Sequence, residues 1–532
     1  MIVNTVGPAN AKMFLVGEAP GEKEDATGIP FVGPAGDTLN RLLSSAGILR
    51  TECLIGNVAR VRPKGNRIAE YFFDKNCTVP RPELVTWIEQ LRQDILKAKP
   101  NVIVALGRTA LWALTGRNSI SSARGYAIES RLVPGVKVLP TYHPSHVMQS
   151  DGKVFYHAVM DLKKARYHEG FPELRYPKYN LQYGVSAKQF IDYIDTVVND
   201  NSLEYAAVDI ENTRGVPHTS EIGVAHAKDY AVSVKILNGK YPALNENDEV
   251  AVYRAVVRLF NSKKIIMQNG AHDIGMIYYR HNILCRKLWM DTLIAAHACY
   301  PEFPRDLGFL ASFCLDTFPW KDAADRPEYN TLDAANTFGI AMYLDKEVDR
   351  LGVRNTYEFE MSEINVALMM QLQGLEIDTT IQYKLMRETQ NKIREVAGEL
   401  KELLGKDINF ASSTQMQQLL YEDLALPVQY KRRKSVNEPK KATVGKEALN
   451  KLAVMFPDNP LFGKVLELKK HITLLKFIGD DGLLEQEGVV PNTKKKEKMV
   501  LSPTNRVHTS YNITGSSVDD EGRKSFGRWS SS

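Results

Sequence analysis

The chain of 532 residues holds only five cysteines, Cys53, Cys77, Cys285, Cys299 and Cys314, and no two of them form a C-x-x-C pair. That spacing indicates neither a disulfide framework nor the usual thiolate zinc motifs, and leaves several of the cysteines as buried thiols. No apolar run approaches the roughly 20 residues that span a bilayer, and the N-terminus lacks a basic stretch followed by an apolar core. Neither insertion nor export is therefore expected, and the place predicted is the cytoplasm, with no membrane partner. Neither G-x-G-x-x-G nor G-x-x-x-x-G-K-[ST] occurs, which removes the common nucleotide-binding loops.

What is present is the composition of a globular protein, 44% hydrophobic and 25% charged, in a chain long enough for two to four domains. The net charge of +5 is modest but uneven: residues 430–500 carry sixteen basic and nine acidic side chains. That excess suits phosphate contacts, and equally a solvated loop.

The stretch Tyr205-Ala-Ala-Val-Asp-Ile-Glu211 alternates like a strand and puts Asp209 and Glu211 on one face. Two like charges side by side are costly unless a cation sits between them. Asn269 and Asp273 follow another apolar stretch, Ile265-Ile-Met267, and Tyr329, Asp333 and Thr337 share four-residue steps in an acid-rich helix. The spacing predicts that Asp209, Glu211, Asp273 and Asp333 meet above one sheet edge. Hard divalent cations, magnesium or manganese, prefer such oxygen ligands, and a pair of them suits phosphodiester hydrolysis.

With D-I-E, N-G-A-H-D and Y-N-T-L-D as three motifs, this region resembles the DnaQ-like 3'-5' exonucleases. The resemblance implies an RNase H-like mixed sheet over about 185–351. It also implies that Asp209 bridges two ions, that Glu211 and Asp333 hold the ion near the nucleophile, that Asp273 serves the other, and that Tyr329 orients the attacking water. His272 departs from the aromatic residue usual at its place. The segments Asp291-Thr-Leu-Ile-Ala-Ala-His297 and Leu307-Gly-Phe-Leu-Ala311 resemble the link between motifs in polymerase-attached exonucleases.

The chain opens with Met13-Phe-Leu-Val16, the loops Gly17-Glu-Ala-Pro-Gly21 and Gly28-Ile-Pro-Phe-Val-Gly-Pro-Ala-Gly36, and a helix with Leu39, Leu42 and Leu43 inward. Strand, glycine-rich loop and helix form a pocket at a strand's carboxyl end, and a second unit from Asn101 implies a parallel α/β/α sheet. Together with Gly56-Asn-Val58 and Thr141-Tyr-His-Pro-Ser145, these loops are similar to the uracil-DNA glycosylase superfamily, family 4 type, over about 1–165. The resemblance implies that Phe31 stacks on the base, Asn57 reads its amide edge, His143 donates to its oxygen, and Glu18 and Asp25 position water or favour the cationic sugar. Family 4 enzymes carry an iron-sulfur cluster on four cysteines; with only Cys53 and Cys77 here, no cluster is expected.

Residues 166–184, rich in Tyr and Pro, read as a linker or packed connector. From Tyr357 the pattern turns to long helices, one with Ile364, Leu368 and Leu372 in a stripe and one over about 381–404 with Leu385, Ile393, Val396, Leu400 and Leu403 on one side. In sequence order 352–532 resembles the thumb and palm entry of a family A DNA polymerase of bacteriophage type, without the palm carboxylates that nucleotidyl transfer needs. DNA with a single-stranded 3' end or a primer-template is the partner this implies, and the missing palm and fingers are left to a second polypeptide, to coding sequence behind an intron, or to loss. Three readings stay open: a proofreading exonuclease with a glycosylase-like head, an enzyme mainly of uracil excision, and a non-catalytic clamp that senses uracil or template.

Overall fold

The computed structural model describes residues 1–150, 152–213, 218–322, 326–373, 375–376, 378–410, 412–431 and 441–478, with short pieces at 506–507, 517–518 and 524–525. The palm-entry residues 508–516 and 527–531 and the basic stretches 432–440 and 494–498 lie outside them. Residues 1–364 form one compact unit and 365–532 a second.

The first unit opens with β1 (Met13–Gly17), α1 (Glu22–Thr27), α2 (Pro34–Ala46), β2 (Leu54–Asn57), α3 (Pro82–Ala98), β3 (Val102–Leu106), α4 (Arg108–Thr115), α5 (Ile120–Ala123), β4 (Ile128–Glu129), β5 (Lys137–Thr141), α6 (Pro144–Gln149) and α7 (Phe155–Glu169). The sheet order is β2-β1-β3-β5-β4. All neighbours but β4 pair in parallel, as the apolar runs predict for strands covered on both faces. Met13 and Leu15 face a core shared with Leu39, Leu42 and Leu43 of α2 and Ala158 and Leu162 of α7. Phe14 and Ile103, one residue out of phase, are buried on the opposite face.

A second sheet follows with β6 (Asn180–Gln182), α8 (Ala187–Asn199), β7 (Tyr205–Asn212), β8 (Thr219–Ala227), β9 (Tyr230–Lys235), the small hairpin β10 (Leu237–Asn238) and β11 (Tyr241–Pro242), α9 (Glu246–Ser262), β12 (Lys264–Met267), α10 (Gly270–His281), β13 (Leu288–Asp291), α11 (Thr292–Cys299), α12 (Leu307–Cys314) and α13 (Tyr329–Arg350). Its order is β13-β12-β7-β8-β9-β6. It is mixed: β7, β8 and β9 run antiparallel, whereas β12 and β13 run parallel to β7.

The stretch between the sheets is packed. Tyr176 donates to the Ala127 carbonyl at 2.6 Å and Tyr179 to Asn336 Oδ1 at 2.8 Å, while β6 pairs with β9. The two sheets are also tied directly. Arg124, itself in a buried pair with Asp161 of α7, donates to Ser312 Oγ at 3.4 Å, Lys164 Nζ donates to the Ser312 and Leu315 carbonyls at 2.7 and 2.5 Å, and Tyr126 to that of Gly308 at 2.6 Å. Oxygen acceptors take up these buried donors, which would otherwise carry a desolvation cost.

Helix α14 (Arg354–Gln373) leads into the second unit, where α15 (Thr379–Leu404), α16 (Ser413–Gln417), α17 (Lys446–Met455) and α18 (Pro460–Ile478) enclose a separate core. Lys464 of α18 pairs with Glu399 near the end of α15, and Gln382 near its start donates to the Ile478 carbonyl, so the long helices are antiparallel. The expected α15 stripe is buried only at its middle. Val396 and Leu400 are covered, but Leu385 and Leu403 are exposed, because the shared core gathers around the former pair. Ile364 and Leu368 are buried as expected; Leu372's side chain is outside the described set. Among the described residues no helix is long and apolar enough to cross a membrane.

Candidate functional sites at the two sheet ends

At the carboxyl end of the first sheet, Glu18, Phe31, Asn57 and His143 line one cavity of about 720 Å³. Three strand ends deliver them: Glu18 follows β1, Asn57 closes β2 and His143 follows β5, the place where open α/β sheets leave a crevice. Close approach depends on glycine. A Cβ on Gly17 would lie 2.5 Å from both Asn57 Oδ1 and the Phe31 ring. Phe31 has a left-handed backbone, φ 55°, and Gly36 passes so near its carbonyl that a Cβ there would overlap it.

The polar groups are poised for a ligand. Asn57 is buried and its Nδ2 has no hydrogen-bond partner, a costly state that a carbonyl oxygen in the cavity would relieve. His143 Nδ1 accepts from the Ser145 amide at 3.2 Å, which leaves the ring proton on Nε2. Burial, assisted by His146, lowers the His143 pKa to about 4, so the ring is neutral at pH 7 and can donate. Glu18 accepts from the Thr109 hydroxyl at 2.5 Å; burial raises its pKa against the opposing effects of Thr109 and Arg108.

Asp25 is a correction. It pairs with the amino terminus and is not among the residues lining the cavity, since it occupies the solvent side of the short helix α1. Its neighbour Glu24 is the buried one, accepting from the amides of Val32 and Gly33 at 2.9 and 2.8 Å and of Gly21 at 3.1 Å. Glu24 thereby fastens the two glycine-rich loops together. The Glu-Asp pair in the first loop was the available signal.

At the second sheet, carboxylate oxygens of Asp209, Glu211 and Asp333 lie within 4.8 Å of one another. Asp209 and Glu211 share a face of β7 as alternation requires. α13 crosses above, and Gly223, the cross-strand partner of Asp209, permits it: a Cβ there would lie 2.3 Å from Asn330 Oδ1. Asn330 Nδ2 in turn donates to Asp209 Oδ2 at 2.8 Å. Asp273, buried on α10, stands outside that close trio but accepts from the Ile210 amide and repels Asp209. Asn269 is not part of the helical face expected; it caps α10 in a left-handed conformation, φ 59°. His272 is turned to Asn212, with Nδ2 and Nε2 3.2 Å apart.

Burial and mutual repulsion raise the pKa of Asp209 well above the usual carboxylate range and that of Glu211 to about 7; Asp333 is also raised, chiefly by burial. Three residues to which the sequence pattern assigns no role at the acids complete the site. Trp320 Nε1 donates to Asp333 Oδ1 at 2.6 Å, Lys321 Nζ contacts Asp333 Oδ2 and Tyr329 Oη, and Asp291 accepts from the amides of Asn269 and Gly270 at 3.0 and 2.8 Å, fixing the start of α10. A lysine in a loop ordinarily reads as solvated.

Residues 5–166 match the model of the uracil DNA glycosylase superfamily. The type-4 uracil-DNA glycosylase of Thermotoga maritima is 38% identical over 164 residues, 30% of this chain and 79% of that protein. The DNA polymerase I of Treponema pallidum is 23% identical over 199 residues, 33% of this chain and 20% of that protein. Among solved structures, the POL domain of Pol1 from M. smegmatis, in complex with DNA primer-template and dNTP, aligns at a TM-score of 0.46 and 17% identity, covering 65% of this chain and 54% of that one. The chain thus spans about a fifth of that polymerase I and about half of the solved domain.

Proposed function

The chain belongs to the uracil-DNA glycosylase superfamily through its first domain, and from that premise we propose a DNA-processing enzyme with two sites, one that excises or senses uracil and one that removes 3'-terminal nucleotides. The observation that carries the first is the buried, unpartnered Asn57 Nδ2 in a cavity it shares with Phe31 and a neutral His143. A base flipped out of the stack would lie on Phe31 and offer its amide edge to Asn57. As the bond from the base nitrogen to C1' breaks, the bonding electrons go to the base, and His143 Nε2–H donates to the oxygen on which that charge collects. Glu18, held by Thr109, would hold the water that adds to C1', and the proton that water loses passes to solvent.

The four thiolates of an iron-sulfur cluster do not fit this domain. It has two cysteines, and burial pushes the Cys53 thiol up to about 12.

The second site is read as a metal-dependent 3'-5' exonuclease on an RNase H-like sheet. Its carrying observation is the close trio of acids with raised pKa values. Asp209, Glu211 and Asp333, with Asp273 beside them, would hold divalent magnesium or manganese, which activates water and neutralises the leaving oxygen. Tyr329 directs its hydroxyl to the same place. The antiparallel helices α15 and α18 are read as the thumb of a family A polymerase, gripping duplex DNA.

Two assays on the full chain test this reading. Uracil-containing single-stranded DNA should yield alkali-labile sites that vanish in His143→Ala. Loss of those sites in wild type while Asn57-dependent uracil binding persists would favour sensing. With magnesium, unmodified single strands should shorten from the 3' end, and Asp209→Ala should abolish this with DNA binding intact; undiminished digestion by that variant would overturn the exonuclease assignment.

A further inference from the structure

Where β8 begins, opposite Asn212 at the end of β7, three side chains from three segments converge. His218 immediately precedes β8, Glu249 lies in the first turn of α9, and His281 is the last residue of α10. Their ligand atoms, one from each, lie within 4.8 Å of one another. His218 and Glu249 are about three-quarters buried, with side chains 24% and 25% exposed.

Hydrogen bonding makes this more than a crowd of polar residues. His218 Nδ1 lies 2.9 Å from the carbonyl oxygen of Thr219. A carbonyl only accepts, so Nδ1 carries the proton and Nε2 of a neutral ring presents its lone pair. That lone pair faces Glu249 Oε1 at 3.6 Å, too far for a hydrogen bond. Two acceptors then oppose each other, a repulsive arrangement that a cation relieves. His281 sits edge-on to His218, its ring stacked on Tyr253 at 3.8 Å, and its Nε2 is buried with no hydrogen-bond partner. One metal ion satisfies all three.

We propose that His218, Glu249 and His281 form a zinc site, separate from the acids that would hold magnesium. Two imidazoles and one carboxylate are a borderline donor set that favours zinc over hard alkaline-earth ions. The Nδ1–H to carbonyl bond of His218 is the outer-shell support that orients such a ligand. Tetrahedral zinc with bonds of about 2.0–2.1 Å needs ligand atoms roughly 3.3 Å apart, so the three side chains close by an ångström or so, and water takes the fourth position. The role is structural. β8 pairs with the end of β7 that carries Glu211, and α10 presents Asp273 near its start and His281 at its end, so one ion would pin the start of β8 and the end of α10 to α9.

The test is zinc chloride titrated calorimetrically into the full chain carrying Asp209→Asn and Asp333→Asn, which disables the acid cluster without touching the histidines. One zinc per chain should bind, raising the melting temperature, and a large excess of magnesium should not displace it. In that background His218→Ala, Glu249→Gln and, where His281→Ala fails to fold, His281→Gln should each weaken zinc binding at least tenfold. Cobalt in place of zinc should give tetrahedral d–d absorption that these substitutions remove. No zinc uptake, or uptake unchanged by His218→Ala combined with His281→Gln in a folded protein, would overturn the site and leave the nuclease reading untouched.

Discussion

Lys321 places its ammonium against Asp333 Oδ2 and 3.0 Å from Tyr329 Oη, while Trp320 holds the other oxygen of Asp333. Both oxygens of one of the clustered acids are therefore engaged by protein donors, and the lysine stands where positive charge is needed. Any divalent ion that binds Asp333 replaces this internal cation.

Lys321→Ala should consequently move two quantities in opposite directions. Without metal, the acids lose their only described ammonium neighbour, and the melting temperature in EDTA should fall by the equivalent of about 1.5–3 kcal/mol, the range for a hydrogen bond to a charged group. The lysine side chain is 32% exposed and Asp333 5%, so solvent replaces little of that contact. In magnesium the same variant should reach half-maximal stabilisation at lower metal concentration, since no ammonium competes. Melting curves over a magnesium titration read both, and an EDTA melting temperature equal to wild type would show that the lysine does not balance the acids.

His143 acts in this account as a neutral donor. Burial lowers its pKa to about 4, so no protonation step occurs between pH 8 and 5. Uracil excision should therefore show no inflection near 6.5, where a solvated histidine titrates. His143→Ala should reduce single-turnover excision about 10²–10³-fold, as for loss of one donor to a developing oxyanion. A step at pH 6–7 that disappears in the variant would mean that the imidazolium is the working form.

The glycine at the end of β1 gives a steric prediction. A Cβ at position 17 meets the Phe31 ring and Asn57 Oδ1 at 2.5 Å each, below the closest real contact, and the neighbours are themselves buried. Gly17→Ala should cost stability by about 1–3 kcal/mol, as overpacking does, and abolish uracil binding by displacing the stacking ring and the reading amide together. Binding of a uracil-containing oligonucleotide unchanged from wild type would show that the cavity is wider than described.

How much of this was legible in the sequence follows from how local each signal is. The apolar runs at 13–17 and 102–106 gave parallel strands because burial on both faces leaves no alternative composition. Asp209 and Glu211 were readable because alternation in a strand sets their face with no help from distant residues. Asp273 and Asp333 depended on helices arriving from far along the chain, and only motif spacing tied them to β7. Lys321, Trp320 and Asp291 carry no period, so their roles emerge only once α13 lies over β7. Asp25 and Glu24 show the limit most sharply: adjacent acids in a six-residue helix, one facing the loops and one the solvent, are not told apart by composition. The expected burial of Leu385 and Leu403 failed for a related reason, since a periodic stripe shows which side of a helix is apolar but not how far along it the partner extends.

Glu211 supplies a pH test of the acid cluster. Burial first, and then repulsion by Asp333, raises its pKa to about 7, above the roughly 4.3 of a solvated glutamate. A carboxyl raised in the folded state contributes stability that is complete below the unfolded value and is lost as pH rises through the folded one. The metal-free protein should thus lose thermal stability from this group between about pH 4.3 and 7, and Glu211→Gln, which cannot ionise, should flatten that part of the profile. Magnesium held by the deprotonated cluster would displace its protons, so the increment in melting temperature on adding magnesium should grow across the same interval. Differential scanning calorimetry in EDTA and in magnesium, at pH steps from 5 to 8 for wild type and Glu211→Gln, resolves the two slopes. If the variant keeps the wild-type slope in EDTA, the protons lost near neutrality come from elsewhere, and the repulsion inferred among these acids is not what the metal relieves.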